Sequence, residues 1–353
     1  MSQTSRYAQA GVDIHKKYEA VDSATRAIRS TFTPGVMGDV GLFGGLFDPA
    51  KVGCAGEVLV ASADGVGTKL EVAQRAGIYD TVGQDIVNHC INDILVQGAR
   101  PLFFLDYIAV GKMEPPVVRA LIEGCAKACR ESGVALLGGE TAEMPGLYKP
   151  GDFDLAGFIV GSVRREKILD GSRVRPGQVL LALESSGLHT NGFSLARKIL
   201  FGTLALGPAD KPAQLGGRTV AEALLAVHRS YFPILWPLLE QNRIAALAHI
   251  TGGGLVDNVP RVLGCCDAWI DRRSWEPPAL FRWLVEAGEV SAEEAYQVFN
   301  MGLGMVLFVE PSDEAAVRAS LEAAGERVHR IGTTQAARAA EGGAAEGVVR
   351  WVS

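Results

Sequence analysis

The chain has 353 residues, of which 48% are apolar and 21% are charged, and its formal net charge is −6. These values describe a globular protein long enough for two domains, and they exclude an intrinsically disordered chain. The net negative charge and the lack of a lysine–arginine block argue against a nucleic-acid-binding surface. No apolar stretch approaches ~20 residues, which argues against a membrane span.

The first half of the sequence predicts an α/β unit. Four bounded apolar runs rich in β-branched and aromatic residues predict strands, at 57–63, 101–110, 134–138 and 153–163. Between them, residues 83–98 have the helical period, because Ile86, Cys90 and Ile94 share one stripe. Residues 115–132 predict a second helix, which begins at two prolines and ends before a glycine.

A charged segment at 164–178 that contains glycine and proline separates this unit from a second α/β series. The second series predicts strands at 179–185, 246–251, 304–310 and 328–332. It also predicts a helix through Leu195, more than one helix within roughly 219–241, a helix from Leu255 and a helix over 313–324. We therefore predict two domains, residues 1–170 and 171–353, of the α/β (α+β) class. The Ala/Gly/Glu-rich residues 336–347 are expected to form a mobile excursion.

The cysteines do not indicate a disulfide framework. The chain has six: Cys54, Cys90, Cys125, Cys129, Cys265 and Cys266. Cys125 and Cys129 share one helix face, and the adjacent pair Cys265 and Cys266 lacks a second pair at zinc spacing. The N-terminal segment also lacks the apolar middle of a signal peptide. We therefore expect reduced thiols in a cytoplasmic protein.

The motif SADGVGTK follows an apolar strand and contains the parts of a phosphate site. It is not a Walker loop, because Thr68 precedes Lys69, whereas a Walker loop places the lysine first. Gly65 and Gly67 let backbone N–H groups approach an anion, Lys69 supplies a charge to phosphate, and Asp64 can hold a hard cation. An ordinary strand-to-helix turn would explain the same residues.

The predicted helix at 83–98 carries a polar face. Asp85, His89, Asn92 and Asp93 lie at positions i, i+4, i+7 and i+8, so they line one side, opposite the stripe of Cys90. A solvated face explains this pattern. The apolar residues around it indicate instead a largely buried helix, in which a carboxylate needs a partner such as a metal ion.

Three further glycine-containing loops lie at predicted strand ends. GGETAEMPG holds Glu140 and Glu143, and two carboxylates at a strand end suit Mg²⁺. SGLHTNG and TGGGL each lie at a strand-to-helix junction, where backbone amides favour anions. His189 is a candidate donor or general acid/base, or simply a hydrogen-bonded histidine. Together the four loops indicate Mg²⁺–nucleotide chemistry without a Walker loop.

The motifs resemble those of the phosphoribosylformylglycinamidine cyclo-ligase family, whose members are also called aminoimidazole ribonucleotide synthetases. The segments that carry the resemblance are ADGVGTK, VGQDIVNHCINDILVQGARPLFFLDY, GGETAEMPG, SSGLHTNGFSLARKIL and HITGGGLVDNVPRVL. YAQAGVDI and FNMGLGM fit the same pattern, so the likeness covers about residues 7–332. It implies that ATP activates the formyl amide oxygen of formylglycinamidine ribonucleotide, after which the imidazole ring closes with release of ADP and phosphate.

The resemblance also implies roles for individual residues. Asp64 and Asp93 would bind Mg²⁺, together with Glu140 as in related proteins, and Lys69, His189 and Asp64 would serve catalysis. The expected contacts to ATP and its phosphates are Gly65, Gly67, Thr68, Lys69, Asn191, Gly252 and Gly253. The fold it implies has an N-terminal domain that forms a β-barrel with the same domain of a partner chain, and an active site between the two domains.

A homodimer also follows from the strand patterns. Along Leu102–Leu105 and Phe158–Val160, consecutive residues point to opposite faces of a sheet, so both faces are apolar. The two predicted helices can cover one face. A second copy of the sheet would cover the other, unless the second domain folds over it within one chain.

Two alternative functions are compatible with these motifs. One is another ATP-dependent enzyme of the superfamily, which includes selenophosphate synthetase, thiamin-monophosphate kinase and the hydrogenase-maturation dehydratase. Selenophosphate synthetase needs a cysteine or selenocysteine in its N-terminal segment, whereas the first cysteine here is Cys54. The other is a non-catalytic nucleotide-sensing subunit, against which the complete set of acids and lysine argues.

Overall fold

The computed structural model describes residues 36–38, 45–52, 56–337 and 347–352. Within these ranges the chain forms two six-stranded sheets and the helices that pack on them. Cys54, the YAQAGVDI motif and most of the Ala/Gly/Glu-rich segment lie outside the described residues. The described cysteines are all free thiols, as expected.

The first sheet is mixed and lies in the N-terminal half. Its strands are β1 (Val36–Met37), β2 (Gly45–Phe47), β3 (Val58–Gly65), β4 (Arg100–Val110), β5 (Ala135–Glu143) and β6 (Phe153–Val163). Their order is β1-β2-β3-β6-β4-β5, and only β4 and β5 are parallel neighbours. Three helices follow strands of this sheet: α1 (Leu70–Ala76), α2 (Asp80–Leu95) and α3 (Pro115–Glu131).

Helices α2 and α3 cross closely because each has a glycine at the crossing. A Cβ atom on Gly83 would lie 2.2 Å from the carbonyl oxygen of Leu121, and one on Gly124 would lie 2.2 Å from that of Asp80. Any larger residue would therefore push the two helices apart. This pair of helices covers one face of the first sheet.

The second sheet is largely antiparallel. Its strands are β7 (Val179–Glu184), β8 (Ala246–His249), β9 (Cys266–Asp271), β10 (Leu303–Val309), β11 (Val328–Ala336) and β12 (Val349–Val352), in the order β12-β9-β11-β7-β10-β8. Its helices are α4 (Phe193–Arg197), α5 (Val220–Leu224), α6 (Phe232–Glu240), α7 (Gly254–Asn258), α8 (Ala279–Ala287), α9 (Ala292–Val298) and α10 (Glu314–Ala323). The sequence patterns did not predict β9, β12, α8 or α9.

One predicted element is confirmed and one differs from the structure. The helices expected at roughly 219–241 are α5 and α6, and the segment 225–231 between them is held in an irregular conformation by side chains of α2. The strand expected to end at 138 continues to Glu143, because β5 stays paired with β4 up to the pair Val110 and Glu143. Glu140 and Glu143 therefore lie on an edge strand and not in a loop.

The second face of the first sheet is open. Along β3 and β6, buried residues alternate with exposed ones, and the exposed residues share one face. Large apolar side chains there include Leu59, Leu102, Leu137 and Phe158, the last of which is 45% exposed. The second domain does not cover these side chains in the described structure. The apolar pattern on both faces of the sheet is confirmed.

Candidate active site

Helix α2 is buried around its whole circumference over residues 82–95. Its polar side chains are therefore not a solvated face, and that alternative is wrong. Asp85, His89, Asn92 and Asp93 are all buried and point toward the second domain. A buried polar group needs a partner, and these four residues find theirs mostly in the C-terminal half.

Lys69 and Asp85 form an ion pair with no exposed side-chain surface. Nζ of Lys69 lies 2.7 Å from Oδ2 of Asp85 without the alignment of a hydrogen bond, and it donates to the carbonyl oxygens of His189 and Ala226 at 3.0 and 2.9 Å. Burial lowers the pKa of Lys69 and raises that of Asp85, and each charge opposes the shift of the other. The amine is therefore fully buried and held by two backbone carbonyls and the carboxylate of Asp85, so it is not directed at an open phosphate site.

Three side chains of α2 hold the irregular segment between α5 and α6. Asp85 accepts from the backbone N–H of His228 at 2.7 Å, and Asn88 donates to the carbonyl of His228 at 2.8 Å. Asn92 accepts from the backbone of Tyr231 and donates to the carbonyl of Arg229, both at 2.9 Å. These bonds replace the backbone pairing that a helix would have given the segment.

Asp64 and Asp93 are brought together by one histidine. Nε2 of His89 lies 2.8 Å from Asp64 and 3.4 Å from Asp93. Burial would lower the pKa of His89, but the two carboxylates raise it well above its usual value, so the ring is cationic. Burial raises the pKa of both aspartates, but the charge and hydrogen bonds of His89 lower it by more. The pKa of each aspartate is therefore below its usual value. The side chain of Asp64 remains 41% exposed.

The hydrogen bonds of this cluster close into a ring. His89 Nδ1 lies 2.7 Å from Thr190 Oγ1, which lies 3.3 Å from His228 Nδ1. His228 Nε2 lies 3.0 Å from His249 Nε2, and His249 Nδ1 lies 2.8 Å from Asp93. Imidazole nitrogens of this region have the spacing of metal ligands, within 4.8 Å, but those of His89, His228 and His249 are already partnered within the ring. We assign them to the network that fixes Asp93.

His189 has a strained backbone and an unpaired nitrogen. Its φ is 60°, which is unusual for a residue with a Cβ atom. Its ring stacks on His228 with centroids 4.0 Å apart, Nε2 accepts from the N–H of Ser186, and the buried Nδ1 has no partner among the described residues. Burial and the neighbouring cationic and imidazole groups lower the pKa of His189 well below its usual value, so the ring is neutral.

The glycine loops after β7 and β8 lie against each other. A Cβ atom on Gly252 would lie 3.2 Å from Oδ1 of Asn191, so the two predicted phosphate loops are neighbours. The first loop of the chain joins them, because Thr68 Oγ1 lies 3.1 Å from the hydroxyl of Ser194. Gly67 has φ of 70° and is exposed beside it. Gly253, with φ of 96°, is crowded by Asp257.

Glu140 is not brought to the other two carboxylates within one chain. Asp64, Gly157, Asp106 and Gly139 are register partners in one row across four neighbouring strands. At about 4.8 Å per strand, Gly139 lies about 14 Å from Asp64. Glu140 is the next residue on the edge strand, exposed and on the opposite face of the sheet. A single ion bound by Asp64, Asp93 and Glu140 of one chain is therefore not supported.

Models of one protein family match both halves of the chain. Residues 48–163 match the family model "AIR synthase related protein, N-terminal domain", and residues 175–343 match the corresponding C-terminal domain. The chain is 47% identical over 329 residues to a phosphoribosylformylglycinamidine cyclo-ligase of Lactobacillus delbrueckii subsp. bulgaricus, which covers 93% of this chain and 94% of that protein.

The chain belongs to the phosphoribosylformylglycinamidine cyclo-ligase family. Solved structures show the same two-domain fold in more distant proteins. Thiamine-monophosphate kinase from Stenotrophomonas maltophilia has a TM-score of 0.61 at 18% identity, covering 94% of this chain and 95% of its own. The hydrogenase maturation protein HypE in complex with ATP has a TM-score of 0.59 at 18% identity, covering 84% and 83%. In the described part of the chain, no helix has the length and apolarity needed to span a membrane.

Several residues that organise the candidate site were not predicted. Asn258 donates to the carbonyls of Thr251, Gly252 and Gly254, so it shapes the TGGGL loop. Asn300 donates to Gly187 and accepts from Ser185, so it fixes the loop before His189. Both asparagines lie in the quoted motifs HITGGGLVDNVPRVL and FNMGLGM. An uncharged polar residue in an apolar motif was the signal available.

Asp106 is a further buried acid in the first domain. It lies on β4, in the same row as Asp64, and burial raises its pKa. A Cβ atom on Gly139 would lie 2.3 Å from its Oδ1, so one glycine of the GGE motif leaves room for this carboxylate. Asp106 was not singled out because it lies within the apolar run PLFFLDYIAV. A single acid in a strand predicted to be buried could have indicated it, since buried acids are rare.

Replacing His189 by Asn should reduce the pH dependence of stability. Asparagine tolerates positive φ, so the backbone is preserved. Because the folded-state pKa of His189 is lowered, the unfolded chain binds the additional proton, and stability is lost as the pH falls below the unfolded value of about 6.5. We measure the free energy of unfolding in urea between pH 7.5 and 5.5. In the variant, its dependence on pH should correspond to about one fewer proton taken up on unfolding. An unchanged slope would show that His189 is charged in the fold.

Proposed function

We propose that the chain is an ATP-dependent cyclo-ligase that converts formylglycinamidine ribonucleotide to aminoimidazole ribonucleotide in purine biosynthesis. The observation that carries this proposal is 47% identity over 93% of the chain to a protein of that name. The convergence of three of the four predicted loops supports it, because phosphoryl transfer depends mainly on positioning and charge. ATP as co-substrate is supported by HypE, a protein of the same fold solved with ATP.

The reaction that this activity requires has two bond-making steps. The γ-phosphoryl group of ATP is transferred to the formyl amide oxygen, which turns a poor leaving group into a good one. An amidine nitrogen then attacks that carbon, the carbon–oxygen bond breaks, and the ring closes with loss of a proton. The products are aminoimidazole ribonucleotide, ADP and phosphate.

The carboxylates of Asp64 and Asp93 fit a magnesium ion. Asp64 is partly exposed at the end of β3, and Asp93 lies beside it through the shared contact with His89. Magnesium takes one or two carboxylates and completes its shell with waters and substrate phosphates. When bound, the ion would neutralise charge on the phosphates of ATP. The ring from His89 to His249 would hold Asp93 in place.

The glycine loops are proposed to bind the phosphates. The candidates are Gly65, Gly67 and Thr68 on the first loop, and Asn191, Gly252 and Gly253 on the second and third. Their proximity is supported by the contacts of Thr68 with Ser194 and of Asn191 with Gly252. Backbone N–H groups at a turn of this kind present partial positive charge without a long helix behind them.

His189 and Lys69 are given different roles. The neutral ring of His189, with its unpaired Nδ1, is proposed as a hydrogen-bond donor to the substrate once the loop that carries it shifts. The amine of Lys69 is proposed to position that loop, because it holds the carbonyl of His189 itself. Lys69 would thus act on the reaction without touching phosphate.

We further propose that the enzyme is cytoplasmic and that its two domains are residues 1–170 and 171–353. We also propose that it forms a homodimer through the open face of the first sheet. A dimer would cover Leu59, Leu137 and Phe158 with the same side chains of a partner. Light scattering at micromolar concentration is expected to give twice the chain mass of 37.4 kDa. A mass of one chain would contradict the dimer.

The position of the interface can be tested by charge insertion. Phe158→Glu, near the middle of the open face, is expected to give monomers because it would bury a carboxylate at the interface. Leu147→Glu is the matched control, since Leu147 is 70% exposed and lies in the loop after β5. Equal dimer fractions for the two variants would place the interface elsewhere.

The activity is tested with the purified chain, formylglycinamidine ribonucleotide, ATP and Mg²⁺. We expect one ADP per aminoimidazole ribonucleotide formed, and negligible ATP hydrolysis without the substrate. Rapid turnover of ATP with thiamin monophosphate or selenide, and none with this substrate, would favour another enzyme of the fold. Binding of ATP with no turnover on any substrate would favour a nucleotide-sensing subunit.

A further inference from the structure

A cavity of about 480 Å³ lies at the end of the first sheet that is remote from Asp64. It is formed by the start of β4, the end of β6 and the segment that follows it, together with helix α6 of the second domain. Arg100, at its wall, is six residues before Asp106 on β4, and Asp106 shares a row with Asp64. At about 3.3 Å per residue, the cavity lies about 20 Å from the candidate active site.

The lining of this cavity is basic although the whole chain has a net charge of −6. Four cationic side chains line it: Arg100, Arg164, Lys167 and Arg173. Two acids, Glu57 and Glu240, also line it, and neither forms an ion pair with these cations among the described residues. A net positive charge of two is thus concentrated in one concave site, which attracts anions.

The cations keep hydrogen-bond donors free for a ligand. Arg100 has no hydrogen bond or ion pair to a side chain within the described residues, and Arg164 has only a 3.7 Å contact to Glu166. Arg173 uses one nitrogen on the carbonyl of Ile244, and Lys167 is held by residues at the end of α6. Two guanidinium groups whose in-plane N–H donors are free of other side chains suit the oxygen atoms of a phosphate group.

An aromatic and apolar wall stands beside these charges. Trp236 is half-buried at the wall, and its ring packs on Phe232 with centroids 5.5 Å apart. Leu169 and Leu239 continue the apolar surface, as does Leu102, which also lies on the face proposed as a dimer contact. A cavity of this volume accommodates a small organic ligand, and an indole offers a surface for a flat ring.

We propose that this cavity is a second ligand site that binds a phosphate monoester bearing a flat heterocycle, such as a mononucleotide. The phosphate contacts the guanidinium groups of Arg100 and Arg164, and the heterocycle packs on Trp236. The site lies at the junction of the two domains and is separate from the site that holds ATP for the reaction. A mononucleotide bound there touches both domains at once.

The test measures binding of AMP to the full chain by calorimetry, without Mg²⁺ and at low salt. We compare the double variant Arg100→Glu/Arg164→Glu with Arg119→Glu/Arg318→Glu, which changes the net charge equally at two exposed arginines outside the cavity. The first variant is expected to weaken AMP binding at least about tenfold, and the second less than twofold. Trp236→Leu is expected to weaken AMP binding and leave that of inorganic phosphate unchanged.

Two further measurements distinguish this site from the candidate active site. Adenosine, which lacks the phosphate, is expected to bind at least about tenfold more weakly than AMP. Cyclo-ligase turnover of the Arg100→Glu/Arg164→Glu variant at saturating ATP is expected to stay within about twofold of the unmodified chain. AMP binding that survives this double change, or adenosine binding as tightly as AMP, would overturn the proposal and leave the cyclo-ligase assignment untouched.

Discussion

Asp64→Asn is expected to lower kcat/KM for ATP by at least about a hundredfold, which corresponds to about 2.7 kcal/mol of transition-state stabilisation. The substitution removes one negative charge from the proposed magnesium site and preserves the shape of the side chain. The free energy of unfolding should change by less than about 1 kcal/mol, because Asp64 is 41% exposed and its Oδ1 can still accept from the N–H of Gly65. Steady-state kinetics and urea unfolding measure the two quantities.

Asp154→Asn is a matched control for this substitution. Asp154 lies on the neighbouring strand β6, and its Oδ1 accepts from the N–H of the next residue, Leu155, as that of Asp64 does from Gly65. It belongs to the opposite face of the sheet and is expected to leave kcat/KM within about twofold. If both variants retained full activity, the SADGVGTK loop would be only a strand-to-helix turn.

Lys69→Met is expected to destabilise the fold by about 3–5 kcal/mol, because it leaves the carboxylate of Asp85 buried without its cation. Two buried carbonyls, of His189 and Ala226, would also lose their donor. The melting temperature should fall by roughly 10 °C. Calorimetry and urea unfolding at pH 7.5 measure this loss.

A double-mutant cycle identifies the cause. Asp85→Asn keeps an oxygen atom for the N–H of His228 and removes the charge, so Lys69→Met/Asp85→Asn should be more stable than Lys69→Met alone. This recovery is specific to a buried ion pair. A Lys69→Met variant as stable as the unmodified chain, with a raised KM for ATP, would instead establish the phosphate contact that the sequence suggested.

Local patterns were sufficient for most of the N-terminal half. The helical stripe of Ile86, Cys90 and Ile94 predicted α2, and two prolines at the start predicted α3. Both helices and all four predicted strands are present, because each buries an apolar face or stripe whose period is visible in the chain. Elements β1, β2, α1, β9, β12, α8 and α9 were missed, although α8 has the same boundary residues as α3, two prolines before it and a glycine after it.

The residue types of the candidate site were also readable from the sequence. Asp64, Asp93, His189 and the glycine loops were all singled out, and the structure places three of the four loops together. The sequence did not show which polar groups meet. It assigned Lys69 to phosphate and Glu140 to the metal, because a lysine or a glutamate beside glycines has the same local pattern whichever way its side chain points.

The sequence by itself determined the family, the strand and helix pattern of the first domain and the open apolar face of its sheet. Only the tertiary structure decided the partners of the buried charges. Asp85 meets Lys69, and Asp93 meets His249, which is 156 residues away in the chain. The first pair joins two elements of the first domain and the second joins the two domains, and no local period records either of them. Burial then makes each pairing strongly favoured, because a buried charge without its partner would cost several kcal/mol.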